Sequence, residues 1–275
     1  MDSQKKLIEM DIEIDFEKSL EENASAYFEK SKQAKAKLAG LRKAMLSMDK
    51  KFSKIKQKPS AKLAKKAKRQ WFQAFHWFRT SSGHLVIAGR DSKSNEAIVK
   101  KHLEKNDLFF HADIQGAAST VLKANKKPFP KQALEEAAQF AAVKSKAWQQ
   151  KLASVDVYAV SKEQVSKKAP AGEALASGAF MIYGKRQWFR KTPLKIAVGL
   201  LQEKDSSLAM SGPPTAVKSN CTHCFEISIG KRKKSEIAKQ LLAKFEASKG
   251  KGVVSLDEIV AVLPSGGLEM GKKRD

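Results

Sequence analysis

The stretch WFQAFHWFRTSSGHLVIAGRDSKSNEAIVKKHLEKNDLFFHADIQGAASTVLK, residues 71–123, decides the fold of this chain. It begins with an aromatic and basic segment and passes through a Ser-Ser-Gly turn into an apolar run, residues 84–88. A short helix and a second apolar run, residues 107–113, follow. Apolar runs of this length between turn residues predict β-strands. Gly116 predicts a tight turn into a third strand, residues 117–123.

The composition favours an ordered protein that binds a polyanion. The chain has 275 residues, 42% of them hydrophobic, which is enough for one large domain and an appendage. It carries 53 Lys and Arg against 29 Asp and Glu, a formal charge of +24. Such an excess is typical of nucleic-acid binders, because lysine and arginine contact phosphates. An anionic membrane surface and an acidic protein partner are the alternatives.

Neither secretion nor membrane insertion is indicated by the sequence. Residues 1–19 lack the apolar core of a signal peptide. No window approaches the ~18 uninterrupted apolar residues of a transmembrane helix. The two cysteines are too few for a disulfide framework. We therefore expect a cytoplasmic protein.

An apolar heptad in the first part of the chain predicts a coiled-coil arm. Its members recur at spacings of three and four, which is the seam of a coiled coil. They are Leu20, Ala24, Tyr27, Ser31, Ala34, Leu38, Leu41, Met45, Met48, Phe52 and Ile55. Pro59 breaks this helix, and a second helix is predicted over residues 61–78. Because only one acid lies between Lys30 and Arg79, the sequence predicts a basic, antiparallel helical hairpin over residues 1–70.

Strands and helices are mixed in the remainder of the chain, residues 71–266. Several strands follow one another between residues 155 and 229, which favours an α+β domain. The further elements expected are helices 95–103, 131–152, 235–248 and 256–263, and strands 155–160, 180–183, 194–201, 208–210 and 225–229. We predict an α+β fold with a mixed, largely antiparallel sheet and flanking helices, followed by a basic tail at residues 267–275.

The sequence carries no motif for a cofactor or a metal ion. The spacing of a phosphate-binding loop and the Gly-x-Gly-x-x-Gly fingerprint are both absent. Cys221 and Cys224 form a single Cys-x-x-Cys pair, whereas a structural zinc ion needs four ligands. We expect two ordinary reduced cysteines and no cofactor.

His111 and Asp113 lie two residues apart on a predicted strand and point to the same face. Such a pair suits a general base with its orienting group, or metal ligation, with Asp91 and Asp107 as candidate third members. Alternatively, His111 is a hydrogen-bonded residue at a sheet edge, and Asp113 caps the turn into Gly116. Because no nucleophile is identifiable by spacing, we expect recognition rather than catalysis.

Residues 184–191, GKRQWFRK, interleave four cations with two aromatic residues and are predicted to form a loop. The cations are Lys185, Arg186, Arg190 and Lys191. Cations of this kind suit phosphates, and flat aromatic rings stack on unpaired bases. Trp188 and Phe189 either offer their rings to RNA or pack inward and leave only the cations exposed.

Several spaced motifs carry a family resemblance. They are Arg79-Thr-Ser-Ser-Gly83; Gly89-Arg90-Asp91 with Asn95-Glu96; Asp107-x3-His111-x-Asp113-x2-Gly116; Gly178-Ala-Phe-Met-x2-Gly184-Lys185-Arg186-x-Trp188-Phe189; and Leu256-Asp257-Glu258-Ile259. Together they resemble the NFACT RNA-binding domain. Upstream, Ile14-Asp15-x2-Lys18-Ser19-x3-Asn23-Ala24-x2-Tyr27 is similar to the end of that family's middle, coiled-coil region. The resemblance covers nearly the whole chain.

The resemblance implies a role in ribosome-associated quality control. Full-length members are factors of the RqcH/NEMF type, related to fibronectin-binding-protein-A-like proteins, that bind a large ribosomal subunit carrying obstructed peptidyl-tRNA. In such factors tRNA recruitment drives untemplated C-terminal tailing. The family's N-terminal domain, and the helix-hairpin-helix region after it, have no counterpart in this sequence. Two interpretations stay open: a stand-alone RNA-binding version, or one half of a split factor whose N-terminal half is a separate polypeptide.

We therefore predict a non-enzymatic RNA-binding protein that docks on large-subunit rRNA and tRNA. The residues expected at the RNA are Arg79, Arg90, Asp91, Asn95, Lys100, Lys101, His111, Asp113, Lys185, Arg186, Trp188, Arg190 and Lys191. The basic residues from Arg90 onward are expected to contact phosphates, whereas His111 and Asp113 shape the site or hydrogen-bond a ribose or base. The alternatives are an RNA-acting hydrolase that uses His111 and Asp113, and an interaction protein that pairs through its coiled coil.

Overall fold

The structure is a computed structural model that describes residues 13–56, 70–168, 175–203, 206–250 and 252–271. The chain divides into two compact units between residues 60 and 61. Within the described residues, no helix is both long enough and apolar enough to cross a membrane.

The first unit contains one long helix, α1, from Leu20 to Lys56. It begins with a reciprocal cap, in which Ser19 and Glu22 each accept a hydrogen bond from the other's backbone N–H. The exposed apolar side chains along it are Leu20, Phe28, Leu38, Leu41, Met45, Leu46 and Met48. The helix predicted from the heptad is therefore confirmed. Its pairing in a hairpin stays a prediction, because residues 57–69 lie outside the described part of the chain.

The second unit is an α+β domain, as predicted. Its first elements are a 3₁₀ turn, Trp71–Ala74; strands β1, His76–Arg79, and β2, Leu85–Ala88; helix α2, Ser92–Ala97, which continues as a π-helical turn, Ile98–His102; strands β3, Leu108–Ala112, and β4, Thr120–Leu122; and helices α3, Lys131–Val143, and α4, Lys146–Gln149. Then come strand β5, Ser154–Ser161; a 3₁₀ turn, Lys162–Gln164; strands β6, Val165–Ser166, β7, Met181–Ile182, β8, Gln187–Pro193, β9, Ile196–Gln202, and β10, Ser207–Gly212; helix α5, Pro214–Asn220; strand β11, Cys221–Arg232; helices α6, Lys234–Lys249, and α7, Leu256–Val262; and strand β12, Leu268–Met270.

Two main antiparallel sheets organise the domain. The larger has six strands in the order β1-β2-β4-β3-β5-β8, and the smaller has four in the order β10-β9-β11-β12. All pairings among the described strands are antiparallel, which confirms the expected largely antiparallel sheet. Because β12 pairs with β11, the basic tail predicted from residue 267 is wrong for residues 268–270.

Helix α3 covers one face of the six-stranded sheet. Phe140 of α3 packs against Phe78 of β1, with ring centroids 4.7 Å apart. Two of the buried positions on α3 are Ala137 and Ala141, whose small side chains let the helix approach the strands closely. The Phe78 side chain lies on the side of the sheet that α3 covers. We name this side the α3 face.

The helix predicted over residues 61–78 is wrong at its C-terminal end, where β1 lies. Strand β1 pairs with β2 across a turn in which the Thr80 N–H donates to the His84 carbonyl at 2.8 Å. Gly83 in this turn has φ +83°, which glycine adopts readily because it lacks a Cβ. Apolar pairing with β2 therefore overrides the helical periodicity. Residues 61–69 lie outside the described part of the chain.

The long helix predicted over residues 131–152 is two helices, α3 and α4. Ser145 ends the continuity, because its Oγ accepts a hydrogen bond from the Ala147 N–H at 3.1 Å and caps α4. The second helix carries Trp148, which is buried and donates its indole N–H to the Gly267 carbonyl at 3.3 Å. The break thus lets one tryptophan tie α4 to the segment before β12.

A buried ion pair joins the end of β4 to the loop before β3. Lys123 Nζ lies 2.5 Å from Asp107 Oδ2 and 2.8 Å from the His102 carbonyl oxygen. The two side chains are only 8% and 2% exposed. The other carboxylate oxygen of Asp107 accepts the Ala124 N–H at 2.9 Å. Asp107 therefore serves the fold and is not a third member of a catalytic set with His111.

Lys123→Met is expected to destabilise the domain by about 3–5 kcal/mol, because it leaves the Asp107 carboxylate buried without its counter-charge. The double variant Lys123→Met/Asp107→Asn should recover most of this loss, since neither charge is then buried. Urea unfolding followed by circular dichroism measures both. The matched control is Lys131→Met, whose side chain is 90% exposed. Equal stability of Lys123→Met and Lys131→Met would contradict the role given to the ion pair.

Candidate nucleic-acid interface

Three aromatic side chains line up across neighbouring strands of the six-stranded sheet. His111 of β3 is in register with Tyr158 of β5, which is in register with Trp188 of β8. The ring centroids of His111 and Tyr158 are 5.8 Å apart, and those of Tyr158 and Trp188 are 5.5 Å apart. We call these three residues the aromatic row.

The aromatic row lies on the face of the sheet opposite α3. Strand register places Phe110 on the same side as Phe78, which packs on α3. Phe110 in turn contacts Phe189, with centroids 5.7 Å apart. Neighbouring residues of a strand point to opposite faces. His111, next to Phe110, and Trp188, next to Phe189, therefore point away from α3.

The cationic segment that was expected to be a loop forms strand β8 from Gln187 onward. Strand alternation then separates its two aromatic rings: Trp188 is half-buried in the aromatic row, and Phe189 packs on the α3 face. Phe189 thus packs inward, as one of the two alternatives has it, whereas contact between Trp188 and RNA stays a prediction. The strand forms because the segment pairs with β5, a long-range contact that its local sequence does not signal.

Two arginines flank Trp188 on its own face. Arg186 and Arg190 lie two residues before and after it, so strand alternation puts the three side chains together. The guanidinium carbon of Arg190 lies 4.0 Å from the Trp188 ring centroid. That of Arg186 lies 5.9 Å from the same centroid and 4.6 Å from the Tyr158 centroid. These distances are those of cation–π contacts. The two arginines and the two aromatic rings together form a basic surface.

Asp156 orients the second of these arginines. The register of β5 with β8 shifts between Val155 and Val157, which sets Asp156 at an irregularity of the strand. Its carboxylate accepts hydrogen bonds from Arg190 Nη1 and from the Lys191 backbone N–H, both at 2.7 Å. The bond from Arg190 and then that from Lys191 lower the pKa of Asp156, which keeps the carboxylate ionised. Sequence reasoning missed this residue, although an acid inside the apolar run VDVYAV was a visible signal.

His111 is a neutral member of the aromatic row. Its ring is half-buried and lies nearly parallel to the Phe109 ring, with centroids 6.2 Å apart. Burial lowers the pKa of His111, and this effect outweighs the opposite influence of the exposed Asp113 carboxylate. At neutral pH the imidazole therefore offers a hydrogen-bonding aromatic ring without a charge. Asp113 is fixed through its backbone N–H, which donates to the Asp156 carbonyl at 2.8 Å.

A second basic group extends from Phe109 towards α2. Phe180 meets Phe109 edge-on with centroids 6.5 Å apart, and the Lys167 ammonium lies 5.2 Å from the Phe180 centroid. Lys167 pairs with Glu96 at 3.6 Å, and Glu96 also holds Lys100 at 2.7 Å. Lys100, which was predicted at the interface, is thus linked to the aromatic row through Lys167 and Phe180. Sequence reasoning placed neither of these linking residues at the interface, although Phe180 lies in the Gly178-Ala-Phe-Met motif.

Arg90 and Asp91 take part in the local fold next to β2. Asp91 Oδ1 accepts the Ser94 N–H at 2.8 Å and caps α2. Arg90 Nη2 donates to the carbonyls of Gln73 and Phe75 at 3.2 and 3.0 Å. Neither residue is brought into the aromatic row. Because Ser94 holds the Asp91 carboxylate, this acid does not join His111 in a catalytic set.

Asn95 and Arg79 are also used inside the domain. Asn95 Oδ1 accepts the Ser119 N–H at 2.9 Å. A Cβ on Gly89 would stand 1.9 Å from that same oxygen, so the Gly89 position requires glycine. The Arg79 guanidinium lies over the Phe72 ring at 5.8 Å. Of the other predicted contacts, three lysines are exposed, namely Lys101, Lys185 and Lys191.

The two cysteines are buried enough to stay protonated. Burial raises the pKa of Cys221 to about 12 and also raises that of Cys224. Cys224 Sγ donates to the Val217 carbonyl at 3.4 Å. A protonated thiol is a weak nucleophile and a weak metal ligand. Among the described residues, no group of three His, Cys, Asp or Glu side chains could hold a metal ion.

Comparisons with known proteins confirm the family resemblance. Residues 74–184 match the family model described as the NFACT protein RNA binding domain. An archaeal Rqc2 homolog, aRqcH of Methanocaldococcus jannaschii, is 37% identical over 221 residues, which cover 80% of this chain and 32% of that protein. The ribosome quality control complex subunit NEMF homolog of Drosophila melanogaster is 34% identical over 71% of this chain and 20% of its own length.

The human ribosome quality control complex subunit NEMF is 35% identical over 192 residues, which cover 67% of this chain and 18% of that protein. The chain therefore spans a third or less of the length of these relatives. The part that matches the family model contains β3 and β5 with His111 and Tyr158, and it ends directly before Lys185.

Proposed function

Residues 74–184 belong to the NFACT protein RNA-binding domain family, and from this premise we propose that the chain binds RNA through its aromatic row. The observation that carries the proposal is the stack of Arg186, Trp188 and Arg190 beside Tyr158. Guanidinium planes and aromatic rings both stack on unpaired bases, and guanidinium groups also donate to phosphates. The interface therefore suits single-stranded or looped RNA more than a regular duplex.

The arrangement supports binding without chemistry. His111 is neutral, the Asp91 and Asp107 carboxylates are used by Ser94 and Lys123, and the two thiols are protonated. We propose that the chain is not an enzyme and that RNA is recovered intact from its complex. In this role His111 supplies a hydrogen bond and a stacking face to a ribose or base.

The names of the relatives indicate the cellular process in which they act. They are subunits or homologs of ribosome quality control factors, so we propose that this chain acts in the rescue and quality control of stalled translation. Its ligands in that role would be large-subunit rRNA and peptidyl-tRNA, both of which present looped or single-stranded segments. Because the chain spans a third or less of these relatives, the activity of the whole proteins is not transferred to it beyond this docking role.

Arg186→Ala/Arg190→Ala should weaken binding to a single-stranded RNA and reduce its salt dependence. Each lost phosphate contact lowers the slope of log affinity against log salt by about 0.7, so the double variant should lose about 1.4. Fluorescence anisotropy across a salt series measures both. The control, Lys131→Ala/Lys239→Ala, removes the same charge from exposed positions of α3 and α6. An equal loss in the control would show that net charge, not the stacked arginines, binds the RNA.

Trp188→Ala should weaken the same RNA by about 1–3 kcal/mol, the usual contribution of one stacked base. Unlike the arginine variant, it should leave the salt slope unchanged, because it removes no charge. Trp188→Phe keeps a smaller ring and should retain part of the affinity. The same anisotropy titrations compare the three proteins. Wild-type affinity in Trp188→Ala would exclude base stacking on this ring.

The docking role predicts selective association with ribosomal particles. The chain should co-sediment with large ribosomal subunits that carry peptidyl-tRNA and much less with small subunits at the same salt. Arg186→Ala/Arg190→Ala should reduce the pelleted fraction, whereas Lys131→Ala/Lys239→Ala should not. Sucrose-cushion centrifugation followed by immunoblotting gives the measurement. Equal pelleting with both subunits would reject the ribosomal part of the proposal and leave RNA binding to be judged by the titrations.

A further inference from the structure

The Trp71 ring lies flat on the His102 ring at the surface of the domain. Trp71 is the first residue of the 3₁₀ turn before β1, and His102 is the last residue of the π-helical turn after α2. The centroids of the two rings are 4.6 Å apart, and the ring planes differ by only 11°. We call this pair the tryptophan–histidine stack. Because β1 and β2 separate the two turns in the chain, the stack forms only in the folded domain.

Neighbouring groups hold both rings of the stack in place. Phe72 meets the Trp71 ring edge-on, with centroids 5.9 Å apart. Phe75 meets the His102 ring edge-on at 5.2 Å. The His102 carbonyl accepts a hydrogen bond from Lys123 Nζ at 2.8 Å. Both rings therefore have defined positions before any ligand binds.

One face of the Trp71 ring is open to solvent. A flat ring has two faces, and His102 covers one of them. Trp71 is nevertheless 48% exposed, whereas Trp77 and Trp148 are buried and Trp188 is half-buried. Tryptophan is highly buried on average in folded proteins. An exposed tryptophan that is held flat at the surface is therefore suited to stack on a planar group of a ligand.

Exposed cations beside the stack favour a ligand with negative charge. The π-helical turn that ends at His102 carries Lys100 and Lys101, and both side chains are exposed. Lys105, three residues after His102, is exposed as well. Single π-helical turns are frequent at functional sites. A planar ligand that also carries phosphates matches this combination of an open ring and lysines.

The rings of the stack carry no charge at neutral pH. Burial, and then the charges of Lys123 and Lys101, lower the pKa of His102 and outweigh the opposite influence of Glu104. The Glu104 carboxylate lies 3.2 Å from Lys123 Nζ and pairs with it. The stack thus offers a neutral aromatic surface to a base, and the phosphates are left to the exposed lysines.

The stack lies on the same side of the six-stranded sheet as the aromatic row. Trp77 of β1 is next to Phe78, which faces α3, so Trp77 points to the opposite side of the sheet. Phe72 packs on Trp77 on that side, with ring centroids 4.7 Å apart. Trp71 in turn contacts Phe72. One RNA strand can therefore reach the stack and the aromatic row without passing around an edge of the sheet.

We propose that the tryptophan–histidine stack is a second base-stacking site, which binds an unpaired base of the same RNA strand that occupies the aromatic row. The proposal rests on the RNA binding proposed above. It adds a ring, Trp71, that lies outside residues 74–184, the part that matches the family model. The base stacks on the open face of Trp71, with His102 beneath it, and Lys100 and Lys101 donate to the adjoining phosphates.

The separation of the two sites sets the length of RNA that reaches both. His102 is bonded to Lys123, which directly follows β4, and Trp188 lies on β8. Three strand intervals separate β4 from β8, which is about 14 Å at the usual strand spacing of about 4.8 Å. Bases stacked about 3.4 Å apart give a trinucleotide a span of only about 7 Å. A trinucleotide therefore reaches one site at a time, whereas a decanucleotide reaches both.

Trp71→Leu tests the proposal against Trp71→Phe, which keeps a ring, and against Phe28→Leu, which removes an exposed ring from α1. Affinity for a single-stranded decanucleotide should fall about tenfold in Trp71→Leu and be largely kept in Trp71→Phe, because only a ring stacks on a base. The salt slope should not change, because no charge is removed. A trinucleotide should keep its affinity, since the aromatic row remains. Fluorescence anisotropy measures all four.

Tryptophan fluorescence observes the contact directly. In Trp188→Phe three tryptophans remain, and Trp71 is the exposed one, because Trp77 and Trp148 are buried. A base stacked on an indole ring quenches its emission. Saturating decanucleotide should therefore quench the emission of Trp188→Phe and leave that of Trp71→Phe/Trp188→Phe nearly unchanged.

Each contrary result has a distinct meaning. Wild-type decanucleotide affinity in Trp71→Leu would overturn the second stacking site, and so would the absence of quenching in Trp188→Phe at saturation. The Trp188→Ala titration judges the aromatic row independently of both. If Trp71→Leu and Trp71→Phe lose affinity equally and both melt at a lower temperature, Trp71 supports the fold and the proposal is wrong. An equal loss in Phe28→Leu would also reject a specific role for Trp71.

Discussion

The surface that we propose for RNA depends on the antiparallel register of β3, β5 and β8. That register brings His111, Tyr158 and Trp188, which lie far apart in sequence, into one line across the sheet. A shift of one residue in any of the three strands would send its ring to the α3 face and bring an apolar neighbour to the surface. Phe110 is buried and Phe189 is half-buried on the α3 side, and this packing opposes such a shift, because both rings would lose their contact. Core packing on one face therefore fixes the recognition surface on the other.

The large positive charge is organised in two different ways. In the aromatic row and beside it, acids hold the cations: Asp156 binds Arg190, and Glu96 binds both Lys100 and Lys167. These carboxylates reduce the local charge but fix the direction of the cations, which lowers the entropy lost when a ligand binds. Elsewhere in the domain, the side chains of Arg90 and Lys144 donate to backbone carbonyls instead. The first arrangement favours stacking on a flat ligand, whereas the second stabilises the fold.

Much of the fold followed from the sequence because its signals were local. The period of two placed His111 on a strand, and the heptad placed α1. The predicted strand was too long by one residue at its end, because β3 ends at Ala112 and Asp113 follows it. The errors arose where pairing between distant segments decided the outcome. A run as polar as that around Trp188 has a weak preference for strand, and only its pairing with β5 makes it one. In the same way His76 lies in a sequence with helical periodicity, yet its segment pairs with β2.

The candidate site was predicted in part for the same reason. Arg186, Trp188 and Arg190 were found because they are neighbours in sequence. Tyr158 and Asp156 were not found, because they meet these residues only in the folded domain. Stacking against Tyr158 and the arginines also explains how a tryptophan can lie at the open face of a sheet in a protein without RNA. The Arg190 guanidinium carbon lies 4.0 Å from the centroid of its ring, and the Trp188 side chain is half-buried rather than fully exposed. The contacts of the surface that we propose for RNA are therefore largely formed before RNA binds, because the strand register beneath it sets them.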